Sequence, residues 1–250
     1  MARVSTANAA PQCVRVAIVD SGITAGHPHV GAVAGGIAFH LLPSGAIASD
    51  DDFRDRHGHG TACAGVIREL LPQADILAVK IFDRELAAHS ELLARGIEWS
   101  IEAGAHVVSL SLVVMPVALP RSPERTLLVK AARRARQAHV ILAAALPREE
   151  LHRESGPLAS AGGALLCMAD ASCPPDQLFR LRGRRRVFMA CPYARAIPGL
   201  DPRRNFHGAS LAAARLAGFA GRAIERGEKP VRIESVRSEL ASIARSKLLV

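Results

Sequence analysis

A chain of 250 residues with 49% hydrophobic content can bury a sizeable core as one large α/β domain or two small ones. Its net charge of +9 admits nucleic acid, an anionic membrane or an acidic peptide as partner. No run of about 18 apolar residues suggests a membrane span, residues 1–11 lack the pattern of a secretory signal, and the five cysteines show no metal-ligand spacing, so a soluble globular protein with reduced cysteines is expected.

The first predicted element is a strand over Val14–Val19, β-branched and apolar on both sides, ending in the turn Asp20-Ser21-Gly22. A second such strand spans Asp75–Phe82, and Ser90–Ala103 follows with apolar residues at helical spacing, stopping near Gly104. Next come a strand over His106–Leu112, a helix over Ser122–Ala138 with Pro123 suited to its first turn, and a strand over Val140–Ala145. The arginines Arg180, Arg182, Arg184, Arg185 and Arg186 read as a solvated loop before a strand. With no aromatics interleaved among them they make a poor surface for base stacking, which argues against nucleic acid. Gly208–Glu225 reads as a long Ala-rich helix and Ser235–Arg245 as a terminal one. Strands alternating with helices imply an α/β fold: a mostly parallel central sheet with helices on both faces, its functional groups gathered at the carboxyl edge. Without repeats or a linker, residues 1–250 form one domain, with residues 1–13 a short N-terminal extension.

Three segments carry chemistry together: Val16-Ala17-Ile18-Val19-Asp20-Ser21-Gly22 with His27-Pro28; Asp55-Arg56-His57-Gly58-His59-Gly60-Thr61-Ala62-Cys63-Ala64-Gly65; and His207-Gly208-Ala209-Ser210-Leu211-Ala212-Ala213-Ala214 with Gly218. Singly, Asp20 is a strand-end cap, His59 a turn residue and Ser210 a helix N-cap. As a set they supply a hydroxyl nucleophile, an imidazole base and a carboxylate to fix its tautomer. A helix starting at Ser210 would aim backbone N–H groups at a nearby oxyanion. His57 reads as a loop residue and Cys63 as a small buried helix residue. Asp50–Asp52 match no full calcium loop, so no metal and no cofactor is expected.

The three blocks, in the order Asp, His, Ser, resemble those of the subtilisin (S8) family of serine peptidases over roughly residues 14–245. The resemblance implies the subtilisin-like three-layer fold, with Asp20 orienting, His59 acting as general base and acid, and Ser210 attacking the scissile carbonyl. It also implies an oxyanion site built on the Ser210 backbone and a substrate strand at Ser111, Leu112 and Val113, with Leu146 beside it.

Here the chain departs from the family pattern. The family follows the strand at 140–145 with Gly-Asn, whose amide serves the oxyanion; this chain reads Leu146-Pro147, and proline offers no donor. Asn205 and His207 are the alternative donors. The family's Ser-Leu-Gly-Gly is Ser111-Leu112-Val113-Val114, which narrows the cleft, and Thr before the nucleophile is Ala209. Two functions stay open: a dedicated peptidase that processes or matures one or few peptides, and a pseudo-peptidase that binds a peptide or partner protein. An extended peptide is the expected ligand, laid as a strand along a sheet edge, and the positive charge favours an acidic one. Reduced cysteines place such a protein in the cytoplasm.

Overall fold

A computed structural model describes residues 13–82, 89–111, 123–148, 151, 156–227 and 231–248. In chain order the elements are β1 (Arg15–Asp20), β2 (Gly35–Leu41), β3 (Ile47–Asp50), α1 (His59–Leu70), β4 (Asp75–Lys80), α2 (Ser90–Glu102), β5 (Val107–Leu110), α3 (Pro123–Gln137), β6 (Ile141–Ala145), α4 (Pro157–Ser160), β7 (Ala164–Ala169), β8 (Phe179–Leu181), β9 (Val187–Ala190), α5 (Ala209–Arg226), α6 (Ile233–Ile243) and β10 (Arg245–Lys247). The ten strands form one sheet in the order β10-β8-β9-β7-β6-β5-β1-β4-β2-β3. It is parallel apart from the β2–β3 and β8–β9 pairs.

The two-residue period of the strands divides the core. Val16, Ile18, Ile76, Ala78, Val107, Ile141 and Ala143 face one way and pack under α1, α5 and α6. Ala17, Val19, Leu77, Val79, Val108, Leu142 and Ala144 face the other way, under α2 and α3. Three layers follow, and β1 at the centre is buried on both faces. Asp20 continues the even-numbered series of β1, so it belongs to the face that carries α1 and α5. Each of those helices begins at the carboxyl edge of the sheet.

Small residues let α1 and α5 lie close. A side chain at Gly218 would stand 3.0 Å from the Leu70 side chain, and one at Gly221 would run into Leu71. Two cationic side chains tie loops to this layer. Arg215 on α5, 1% exposed, donates to the carbonyls of Pro175 (2.9 Å) and Tyr193 (3.1 Å) and pairs with Glu69 at 3.3 Å. Arg68 on α1 donates to four carbonyls, those of Val30, Ala32, Pro72 and Ala74, at 2.7–2.9 Å.

The predicted strands and helices stand within two residues of the observed ones at their described ends, with Leu112 and Ser122 lying outside the described residues. Arg180 belongs to β8 rather than to a loop, so the arginine run spans a hairpin between β8 and β9.

Candidate active site

Both helices at the carboxyl edge start from a glycine in a conformation closed to other residues. Gly58 precedes α1 at φ 94° and Gly208 precedes α5 at φ 125°. Neither glycine caps its helix: in α1 the Gly60 and Thr61 N–H groups go to the Ser21 hydroxyl and the Asp55 carboxylate, whereas the first N–H groups of α5 have no hydrogen-bond partner among the described residues. His59 is the first residue of α1 and Ser210 the second of α5.

His59 lies against Asp20. Its Nδ1 stands 2.8 Å from Asp20 Oδ1 and 2.9 Å from Oδ2, with the carboxylate fully buried and the ring 6% exposed. Bonded to an ionised carboxylate, Nδ1 carries the proton, which leaves Nε2 as the free base in the neutral ring. The Ser21 N–H donates to Asp20 Oδ1 at 2.7 Å and holds the carboxylate in place. Burial of the imidazole opposes its protonation, yet Cys63 and the Asp20 carboxylate beside it raise its pKa above the ordinary histidine value. Burial pushes the Cys63 thiol up as well. It therefore stays protonated, lends His59 contact at 4.0 Å but no charge, and leaves Asp20 as the lasting cause.

Phe206, two residues before Gly208, joins the two helix starts. Its ring meets His59 edge-on at 5.7 Å between centroids and lies over His57 at 5.8 Å. Ser210 is half-buried in the adjoining first turn of α5, and no hydrogen bond joins it to His59 among the described residues. Such bonds are often long until substrate is bound.

The other expected site residues come from three segments of the chain, and one of them, Ser111, bonds the Cys63 thiol beside His59. Ser111 is buried at the end of β5, with its Oγ 3.4 Å from Ser109 Oγ, on the face toward α1 and α5. Leu112 and Val113, together with Val114, lie outside the described residues. Leu146 is buried and its N–H is already given to the Cys167 carbonyl at 2.8 Å; Pro147 has none to give. Asn205 Oδ1 accepts from the Phe206 N–H at 2.8 Å. His207 is exposed, with Nδ1 2.9 Å from the Asn205 carbonyl. Donating there, a neutral ring keeps no second N–H, so His207 reaches an oxyanion as a donor only when protonated.

Asp20, His59 and Cys63 bring a carboxylate oxygen, a ring nitrogen and a thiol within 4.8 Å of one another, a set that suits a soft divalent cation. Cys63, kept as a neutral thiol by burial, is not in the form that ligates. Asp50–Asp52 form an exposed turn held by local pairs with His40 and Arg56. Sequence reasoning passed over Asp55 and Phe206. Asp55 sits four residues before His59, and Gly58 and Thr61 just after it were the available signal; nothing in the sequence marks Phe206.

Compared with known proteins, residues 12–146 match the family model described as the subtilase family. A thermostable alkaline protease of Halalkalibacterium halodurans is 38% identical over 107 residues, which cover 39% of this chain and 27% of the relative. The matched stretch thus spans well under half the length of that curated relative. Among solved structures, a lanthipeptide protease superposes with a TM-score of 0.63 at 20% identity, over 92% of this chain and 79% of that one. The protease domain of PatA gives 0.62 at 25% identity, over 90% and 84%.

Proposed function

The chain belongs to the subtilase family, and from that premise we propose that it is a serine endopeptidase acting through Asp20, His59 and Ser210. The observation that carries this reading is the buried His59 ring, held by Nδ1 on the Asp20 carboxylate at 2.8 Å and placed beside the helix start that bears Ser210.

In the proposed reaction, Nε2 of His59 takes the Ser210 proton as Oγ attacks the peptide carbonyl, and Asp20 stabilises the imidazolium that forms. The uncapped N–H groups at the start of α5 receive the developing oxyanion. His59 then returns the proton to the leaving amine, and a water molecule hydrolyses the acyl-enzyme by the same steps.

The substrate we assign is an extended peptide, dedicated rather than general, and acidic in keeping with the charge of +9. Two neighbours of matching fold are a lanthipeptide protease and the protease domain of PatA, which agrees with peptide processing. The cysteines Cys13, Cys63, Cys167, Cys173 and Cys191 are all unpaired, which fits a reducing compartment such as the cytoplasm. No helix among the described residues is long and apolar enough to cross a membrane.

One observation favours the second reading, a pseudo-peptidase that binds a peptide or partner protein. At Leu146-Pro147 one N–H is spent within the sheet and the other does not exist, so that side of the oxyanion lacks a donor. A fluorophosphonate probe separates the readings. The peptidase reading expects covalent labelling of the native protein that is abolished in Ser210→Ala. No labelling of a folded protein that still binds peptide would establish the second.

A further inference from the structure

We propose that Asp55 is the positioning residue of this site, holding the strand end that bears Asp20 and the helix start that bears His59 in one fixed relation. The role in catalysis rests on the peptidase reading above; the positional role does not.

Asp55 lies in the loop before α1, and its carboxylate accepts five hydrogen bonds. Oδ1 takes Ser21 Oγ at 2.9 Å, the His57 N–H at 3.0 Å and the Gly58 N–H at 2.7 Å. Oδ2 takes the Thr61 N–H at 2.9 Å and the Thr61 hydroxyl at 2.6 Å. The donors fall into two groups. Ser21 adjoins Asp20 at the end of β1; His57, Gly58 and Thr61 bracket His59.

The link is closed by relays. Ser21 Oγ, while donating to Asp55, accepts the Gly60 N–H at 3.0 Å, and Thr61 Oγ1 accepts the Thr24 N–H at 3.0 Å. The backbone on each side of the Asp20–His59 bond is therefore pinned to one carboxylate. A carboxylate at a helix N-terminus is also favoured by the helix dipole. Burial would raise the pKa of Asp55, but the bonds from Thr61, Gly58 and His57 outweigh it and hold the group below its ordinary value. It remains ionised across the range in which a peptidase works.

Nothing else of this charge and valence ties the two segments among the described residues. An asparagine cannot replace it, because its single acceptor oxygen serves one set of donors while its NH2 is turned against the other. The consequence reaches His59 by displacement, and a misplacement of about 1 Å at a reacting group costs roughly 10²-fold in rate.

The test uses the full chain in three variants: Asp55→Asn, Ser21→Ala and, as control at the opposite edge of the sheet, Asp75→Asn, whose carboxylate pairs with Arg15. Three quantities are read: the low-field proton resonance of His59 Nδ1–H, assigned by its loss in His59→Ala; the rate of fluorophosphonate labelling; and the thermal midpoint. We expect Asp55→Asn to abolish or shift the resonance and to slow labelling about 10²-fold, Ser21→Ala to do the same more weakly, and Asp75→Asn to leave both as they were. An unchanged resonance in folded Asp55→Asn overturns the proposal. If that variant fails to fold, Ser21→Ala decides, and an unchanged resonance there is equally fatal. A wild-type protein that never labels refutes the peptidase reading alone, since the resonance still reports the position of His59.

Discussion

Two glycines on α1 offer the same substitution with opposite expected results. An alanine Cβ at Gly60 would enter the carbonyl oxygen of Gly22 and stand 3.1 Å from Cβ and 3.3 Å from Oδ1 of Asp20. Since the first obstacle is backbone, no rotamer change relieves it. The helix start must retreat by roughly 1 Å, carrying His59 away from Asp20, at a cost near 1–3 kcal/mol from overpacking and about 10² in rate. At Gly65 the tight contact is with the His29 Cβ, at 3.1 Å, which a shift of a few tenths of an ångström accommodates. Alanine there gains up to about 1 kcal/mol of helix propensity, so stability should change little. The assay is the second-order rate of fluorophosphonate labelling beside the thermal midpoint. Gly60→Ala labelling at the wild-type rate with an unchanged midpoint would refute the claim that the contact of α1 with the Asp20 turn sets the geometry of the site.

Further outcomes are expected at His59, Pro147 and Arg215. Because the pKa of His59 is raised, its base form accumulates only on the alkaline side, and labelling should keep climbing with pH after an ordinary histidine has been titrated. Asp20→Asn should move that climb to lower pH and slow labelling by about 10³–10⁵. Stability runs the other way: a proton held more tightly in the folded state stabilises below the unfolded pKa and is lost as pH rises through the folded one, so the alkaline fall in thermal midpoint should be steeper in the wild type than in Asp20→Asn. Pro147→Asn places an amide donor where the family carries one, and turnover of a peptide substrate should rise by about 10–10³, read as kcat with KM little altered. Arg215→Met strips a buried guanidinium from two carbonyls and Glu69, for a loss of about 3 kcal/mol and a fall of roughly 6–12 °C in the thermal midpoint.

The inner strands were legible because burial on both faces writes a plain signal. β6 is apolar throughout, β5 but for Ser109, and β1 and β4 between their end residues, and the residue after Val19 is conspicuous for being charged. The outer strands were not. β2, Gly35–Leu41, begins with two glycines and carries His40 on a half-exposed edge, and β8, Phe179–Leu181, is three residues long with an arginine at its centre. α1 hid for another reason. His59-Gly60-Thr61-Ala62-Cys63-Ala64-Gly65 has weak propensity and little hydrophobic contrast, since its small residues are chosen for contact with Asp20, His29 and α5. Of the site, the Asp20–His59 contact could be anticipated from the blocks. The Ser21 bond to Asp55 and the ring of Phe206 against His57 and His59 could not, because they depend on how loops far apart in sequence meet.

Arg68 carries a consequence beyond the packing of its helix. Four carbonyl oxygens from two stretches of chain, at Val30 and Ala32 and at Pro72 and Ala74, converge on its guanidinium. Such a ring of oxygens is the kind of environment that attracts a dissolved ion. Here the positive charge is bonded to the polypeptide itself. It arrives with synthesis, cannot be diluted away or exchanged, and makes the closure of these loops a property inherited through one codon, independent of the mineral content of the surroundings.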